Sequence, residues 1–281
     1  MLKRQTEGSV ICPACGVLVG VNDETCYNCG RRNPGLWGYA AALRRLGNDL
    51  GFVPLVMGGT ITLYALSLLL SRGSIHGMLS PDNRVLLALG ASGAFPVFEM
   101  GRWWTVLTAG WLHGSFLHVL FNVMWIRQLA PAVADLYGAG RMAIIYTIAG
   151  VTGFALSSVA GLYFPNVPII PGAVFSVGAS ANIFGLLGAL FHYGRRTGNS
   201  HAREAGLQYA IFLGLFGLIP GTGVDNWAHA GGFAGGLAAS MLLDPLTRER
   251  TDHMIGALIC LSLTVVALVA SFVTALPYLI Q

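Results

Sequence analysis

The sequence predicts an all-α polytopic membrane protein with a small metal-binding module at its N-terminus. Three observations carry this expectation. Of 281 residues, 54% are hydrophobic and only 10% are charged, against roughly 25% charged in a typical globular chain, too few to cover a soluble surface of this size. Tracts such as 53–70 and 256–278 approach the roughly 20 apolar residues that cross a hydrocarbon core about 30 Å thick. Four of the five cysteines fall in one polar stretch, as Cys12-Pro13-Ala14-Cys15-Gly16 and Cys26-Tyr27-Asn28-Cys29-Gly30. The formal charge of +4 is spread thinly, and Lys3 is the only lysine. No basic stripe could follow a phosphate backbone, so nucleic-acid binding is disfavoured.

The opening residues lead into the cysteine stretch and not into an apolar run, so no cleavable signal peptide is expected and the N-terminus should stay cytosolic. Two Cys-x-x-Cys-Gly knuckles let four thiolates, Cys12, Cys15, Cys26 and Cys29, converge tetrahedrally on one ion. The glycine after each pair permits the tight left-handed turn. A redox dithiol or two disulfides are the alternatives, and a reducing compartment favours metal. The expected module, residues 1–33, is a minimal zinc ribbon. A closed four-cysteine site leaves no open coordination position, so the zinc should be structural and not catalytic.

After it, Leu36, Tyr39, Leu43, Leu46 and Leu50 recur at helical spacing with Arg44-Arg45 on the other side. This predicts an interfacial amphipathic helix over 36–50, in a linker spanning 34–51. The module's position beside this helix suggests a docking or regulatory role toward a cytosolic partner.

Seven apolar spans follow, at 52–70, 116–134, 142–162, 178–193, 207–219, 227–243 and 255–278. A long semi-apolar loop, 71–115, joins the first two. With a cytosolic N-terminus, the inner side holds Lys3, Arg4, Arg31, Arg32, Arg44, Arg45, Arg127, Arg141, Arg195, Arg196, Arg203, Arg248 and Arg250. The outer side then holds Arg72, Arg84 and Arg102, a positive-inside bias. Spans two, four and six accordingly run from outside to inside.

This orientation places His118 and Asn122 near the start of span two, Ser180 at the start of span four, and His229 at the start of span six. All four fall at comparable shallow depth. Polar groups inside a membrane cost free energy and mark function more often than elsewhere. Singly, each could merely hydrogen-bond a backbone carbonyl or join two helices. Gly232-x-x-x-Gly236, facing Ala181, Gly185 and Gly188, would let spans four and six press together and bring Ser180 within reach of His229. In that setting the pair reads as a nucleophile and its general base.

The motifs Trp111-Leu112-His113-Gly114-Ser115-Phe116-Leu117-His118-Val119-Leu120-Phe121-Asn122, Gly178-Ala179-Ser180 and Ala228-His229-Ala230-Gly231-Gly232 with Gly236 resemble, in order and placement, those of the rhomboid intramembrane serine proteases. The similarity runs over about 52–244. It implies a six-helix rhomboid-like core (52–244) with one extra C-terminal transmembrane helix (245–281). It also implies a dyad of Ser180 and His229 with no acidic third member, and an oxyanion site from His118, Asn122 and the Ser180 amide. His113 is assigned a structural role, and the first loop is expected to lie sideways in the outer leaflet. Two departures stand out. The loop reads Trp103-Trp104-Thr105 where the family usually has Trp-Arg, with an arginine earlier at Arg102, and Ala181 replaces the common glycine after the nucleophile.

The expected activity is cleavage of transmembrane segments near the outer face of a cell membrane, favouring segments with small or helix-breaking residues there. No cofactor enters the chemistry. The alternative is an inactive rhomboid-like protein that binds transmembrane clients. A zinc metalloprotease would need a His-Glu-x-x-His helix, which is absent, and Asp135 and Asp225 fall near opposite faces, which excludes an aspartyl dyad.

Overall fold

A computed structural model describes residues 4–279 apart from 14, 45, 46, 48, 72–78, 220 and 248. Lys3, Arg45, Arg72 and Arg248 of the orientation argument lie outside the described residues.

The chain begins with an antiparallel hairpin of β1 (Ser9–Ile11) and β2 (Leu18–Gly20), in register with Val10 opposite Val19. Alternation turns both valines inward, where they pack with Cys12, Val21, Cys26 and Ala40. The described part of 36–50 does not form the single amphipathic helix expected, while 45, 46 and 48 lie outside the described residues. A 3₁₀ turn at Leu36–Gly38 gives way to the short α1 (Ala40–Arg44), and Leu36, Trp37 and Gly38 adopt φ of 50°, 53° and 88°. The reason is tertiary. Gln5 N–H donates to the Gly38 carbonyl at 2.8 Å, Arg4 Nε donates to the Trp37 carbonyl at 3.0 Å, and a side chain at Gly38 would strike the Gln5 carbonyl. The chain bends back onto its own N-terminal segment, and this outweighs helical spacing.

Among the described residues seven long helices follow: α2 (Phe52–Leu70), α5 (Phe116–Tyr137), α6 (Ala139–Tyr163), α7 (Ser180–Thr197), α8 (Ser200–Phe216), α9 (Asn226–Leu242) and α10 (Thr251–Leu279). Four stretches among the described residues, α2, α5, α6 and Asp252–Ala275 within α10, are long and apolar enough to cross a membrane. Every residue of α7 from Ala181 to Leu190 is buried by protein, and Gly185 and Gly188 within that stretch let neighbouring helices approach closely. α8 is the opposite case: Ile211, Phe212, Leu215 and Phe216 point outward, and only Gly206 is buried.

α7 lies at the centre, against α5, α6, α8 and α9, while α6 also packs along α9 and α10. The core around it joins Val56 of α2, Ile126 and Val133 of α5, Met142 and Ile145 of α6, and Leu186 and Leu187 of α7, all fully buried.

The loop between α2 and α5 is structured in its described part. It contains α3 (Asn83–Leu89), a π-helical turn (Phe95–Glu99), α4 (Thr105–Thr108) and a 3₁₀ turn (Ala109–Trp111). Its internal bonds are made by Arg102. The buried guanidinium donates to the carbonyls of Leu87 (2.7 Å) and Ala88 (3.4 Å), and across to Ser271 of α10 (2.7 Å). Thr105 donates its Oγ1–H to the Arg102 carbonyl at 2.8 Å, and its Oγ1 also lies within hydrogen-bond distance of Ser92 Oγ, at 3.3 Å. Trp104 Nε1 donates to Ser271 Oγ at 3.1 Å, so the last helix is bonded into the first loop.

Candidate active site and metal centre

Side-chain caps set the register of the two helices that carry the histidines. Ser115 Oγ accepts the His118 amide at 3.3 Å at the start of α5, and Asp225 Oδ1 accepts the Ala228 amide at 3.0 Å at the start of α9. His118 therefore falls in the first turn of α5, with Asn122 one turn later and His229 in the first turn of α9. Ser180 is the first residue of α7. These positions lie within about 9 Å of their helix starts at 1.5 Å per residue.

α7 and α9 meet backbone to backbone. A Cβ built at Gly232 would lie 2.1 Å from the Ala181 carbonyl, and one at Gly236 would lie 2.3 Å from Gly185 Cα. Glycine is required at both positions by this approach. The contact brings His229 against the face of α7 that begins with Ser180. The imidazole lies flat on Phe184, ring centroids 4.0 Å apart and planes 15° from parallel. Phe184 is four residues beyond Ser180, so it lies on the same helix face. His229 is buried, and its Nδ1 has no hydrogen-bond partner among the described residues. Ser180 is half-buried, and no hydrogen bond joins it to His229 among those of the described residues.

His118 approaches from the other side. A side chain at Gly178, two residues before Ser180, would meet His118 Nε2. Asn122 is buried and donates from Nδ2 to the His118 carbonyl at 2.8 Å, leaving its second amide hydrogen uncommitted. The fully buried His113 packs edge-on against His118, centroids 4.8 Å apart, and its Nε2 accepts the Ala179 amide at 3.4 Å. The Ser180 amide, at the head of α7, is one of the donors that an α-helix cannot satisfy internally. His229 of α9 thus meets α7 one turn beyond Ser180, His118 of α5 meets Gly178 two residues before it, and Asn122 bonds the backbone of His118. Two neighbours were not legible beforehand: Phe184, signalled only by its spacing from Ser180, and Asp225, signalled by its N-cap position ahead of an apolar run.

The four N-terminal cysteines also converge. Their Sγ atoms all lie within 4.8 Å of one another, Cys12 to Cys29 at 3.8 Å and Cys15 to Cys26 at 3.6 Å. These separations far exceed a disulfide bond, and they match the roughly 3.8 Å edge of a tetrahedron with metal–sulfur bonds of about 2.3 Å. Both knuckles close alike. Gly16 N–H donates to the Cys12 carbonyl and Gly30 N–H to the Cys26 carbonyl, each at 2.9 Å, with glycine φ of 77° and 69°. The Val17 backbone amide leads the influences that hold the Cys15 thiol down at about 6, while at Cys29 the Arg31 backbone amide is outweighed by burial and the neighbouring thiols, which push it up to about 11, so the sulfurs share their protons as one group. The four cysteines can hold a metal ion.

A bundle of apolar helices with a serine, two histidines and an asparagine gathered at three helix starts defines a class: multi-pass membrane proteins with a polar site inside the helical core. Comparison with known proteins makes the class specific. The Rhomboid domain matches residues 100–246. The chain is 31% identical to the rhomboid protease GluP of Bacillus subtilis (strain 168) over 190 residues, 66% of this chain and 35% of that protein. It is 30% identical to RHOMBOID-like protein 7 of Arabidopsis thaliana over 170 residues, 59% of this chain and 51% of that one. With rhomboid-like protease 5 of Toxoplasma gondii it shares 33% identity over 163 residues, 56% of this chain and 18% of that one. The chain spans about half or less of the length of these relatives. It belongs to the rhomboid family.

Proposed function

We propose that this protein is an intramembrane serine protease in which Ser180 is the nucleophile and His229 its general base. The observation that carries the proposal is the placement of the His229 imidazole on Phe184, one helical turn from Ser180. His229 has no carboxylate at Nδ1 to orient it, and the flat stack supplies the orientation that an acidic third member gives elsewhere.

The chemistry follows from the residues. Ser180 Oγ attacks the scissile carbonyl carbon while His229 takes the hydroxyl proton. The carbonyl oxygen becomes an oxyanion and accepts hydrogen bonds from the side chains of His118 and Asn122 and from the Ser180 amide. His229 then passes its proton to the leaving amine as the C–N bond breaks. Water attacks the resulting ester, again giving its proton to His229, and the acid product leaves as Ser180 recovers its proton. Peptide hydrolysis needs water, and residues near helix starts lie shallow enough to be reached from an aqueous face. With the N-terminus cytosolic, that face is the outer one, and the substrates are transmembrane segments cut near their outer ends.

The domain reading is a ribbon at 1–33, a linker at 34–51, a catalytic core at 52–244 and an additional helix at 245–281. The ribbon holds a structural zinc through Cys12, Cys15, Cys26 and Cys29 and offers a cytosolic docking surface. The decisive experiment mixes purified full-length protein with a single-span substrate in proteoliposomes. Wild type is expected to cleave it and Ser180→Ala to leave it intact. If wild type retains the substrate without cutting it, the protein is instead a client-binding relative without protease activity.

A further inference from the structure

Asp225 ties together the three elements that surround the proposed dyad. Its Oδ1 caps α9 through the Ala228 amide at 3.0 Å, and its own carbonyl accepts the amide of His229 at 3.1 Å. Its Oδ2 accepts Ser176 Oγ–H at 2.6 Å, from the segment that leads into Ser180, and also Ser157 Oγ–H from α6. Ser157 and Ser176 are both buried, so each hydroxyl needs this acceptor. Ser176 in turn exchanges two backbone hydrogen bonds with Ser92 of the first loop, at 3.0 and 2.7 Å, and Ser92 Oγ lies 3.3 Å from Thr105 Oγ1. One carboxylate therefore joins the cap of the histidine helix to the approach segment of the serine and to α6.

We propose that Asp225 is a positioning residue that sets the separation of Ser180 from His229, with the Ser176 hydroxyl as the link to the serine side. The two carboxylate oxygens divide the work. Oδ1 sustains the α9 cap, which matters for folding, while the Oδ2 bond to Ser176 matters for alignment. Ser176→Ala removes only the second and leaves the cap whole. Because a misplacement of about 1 Å can cost on the order of a hundredfold in rate, this variant should lose rate without losing fold.

The inference rests on the proposed protease reading, and the test separates the two. Full-length protein is measured for kcat and KM on a single-span substrate, for the rate of fluorophosphonate labelling at Ser180, and for thermal unfolding in detergent. Ser176→Ala should lower kcat and the labelling rate about ten- to a hundredfold, with KM unchanged and the protein fully folded at the assay temperature, whatever small drop in unfolding temperature the lost hydrogen bond brings. Ser176→Thr, which keeps the hydroxyl, should restore both rates. Asp225→Asn, which keeps an Oδ1 acceptor but offers an N–H donor to the two serines, should resemble Ser176→Ala. Rates for Ser176→Ala within twofold of wild type, or a loss that merely tracks the folded fraction, would overturn the positioning role while leaving the protease reading intact. A wild type that neither cleaves nor labels overturns the protease reading and this inference with it.

Discussion

The imidazole of His229 and the ring of Phe184 are stacked face to face, 4.0 Å between centroids. The contact crosses from α9 to α7 and places the histidine one turn along the helix that Ser180 begins. An imidazole with an unpartnered Nδ1 has no hydrogen bond there to fix its plane, so the aromatic surface must do so. Such stacks contribute about 0.5–1.5 kcal/mol beyond the area they bury.

Replacing Phe184 by leucine should therefore keep most of the apolar volume and lose the flat surface. The expected result is a kcat lower by about tenfold, the rate equivalent of roughly 1.4 kcal/mol, while Phe184→Tyr stays within a few fold of wild type. Steady-state cleavage of a single-span substrate by both variants checks this.

The glycine contact between α7 and α9 makes a steric prediction. Gly236→Ala adds a methyl where Gly185 backbone already sits, so the helices must separate. Overpacking of this kind typically costs about 1–3 kcal/mol, and the separation should carry His229 away from Ser180. A lower unfolding temperature together with reduced fluorophosphonate labelling is expected. Gly214→Ala, in α8, adds a methyl that meets nothing and should match wild type in both.

Arg102 and Ser271 give a test of how the last helix is held. Trp104→Phe removes one hydrogen bond to Ser271 and should cost about 1 kcal/mol. Arg102→Met removes three charge-assisted hydrogen bonds, to the carbonyls of Leu87, Ala88 and Ser271, and should cost several times more, since a hydrogen bond to a charged group contributes about 1.5–3 kcal/mol. Thermal unfolding of the two variants in detergent, compared side by side, measures the ratio.

The N-terminal module should behave as a metal-dependent fold. Purified protein is expected to carry one zinc per chain by elemental analysis, and Cys12→Ser or Cys26→Ser to carry none. Removing residues 1–33 should leave cleavage in detergent intact. Loss of cleavage in that truncation would make the module part of the catalytic fold.

Much of this was legible because it is local. The knuckle glycines and the small faces of α7 and α9 are set by neighbours a few positions away, and spacing alone exposes them. The helix expected over 36–50 was misread for the converse reason: its periodicity is real, but the fold-back of Trp37 and Gly38 onto Arg4 and Gln5 is a distant contact that spacing does not encode. Arg102 is similar. As a residue it looked like a displaced family arginine, and only its partners, one of them 169 positions away, reveal how it braces the first loop.

The sequence by itself determined the solvent of this chain, the order of its helices and the cysteine set that can bind metal. Composition and short-range spacing record which surfaces must meet lipid, water or an ion. Only the tertiary structure decided that Phe184 lies under His229, that Asp225 joins Ser157 to Ser176, and that the last helix is bonded to the first loop. Those pairings arise when helices far apart in the chain pack at one depth. Close packing then leaves each buried polar group a few neighbours to choose from, and the choice depends on the shape of the whole bundle.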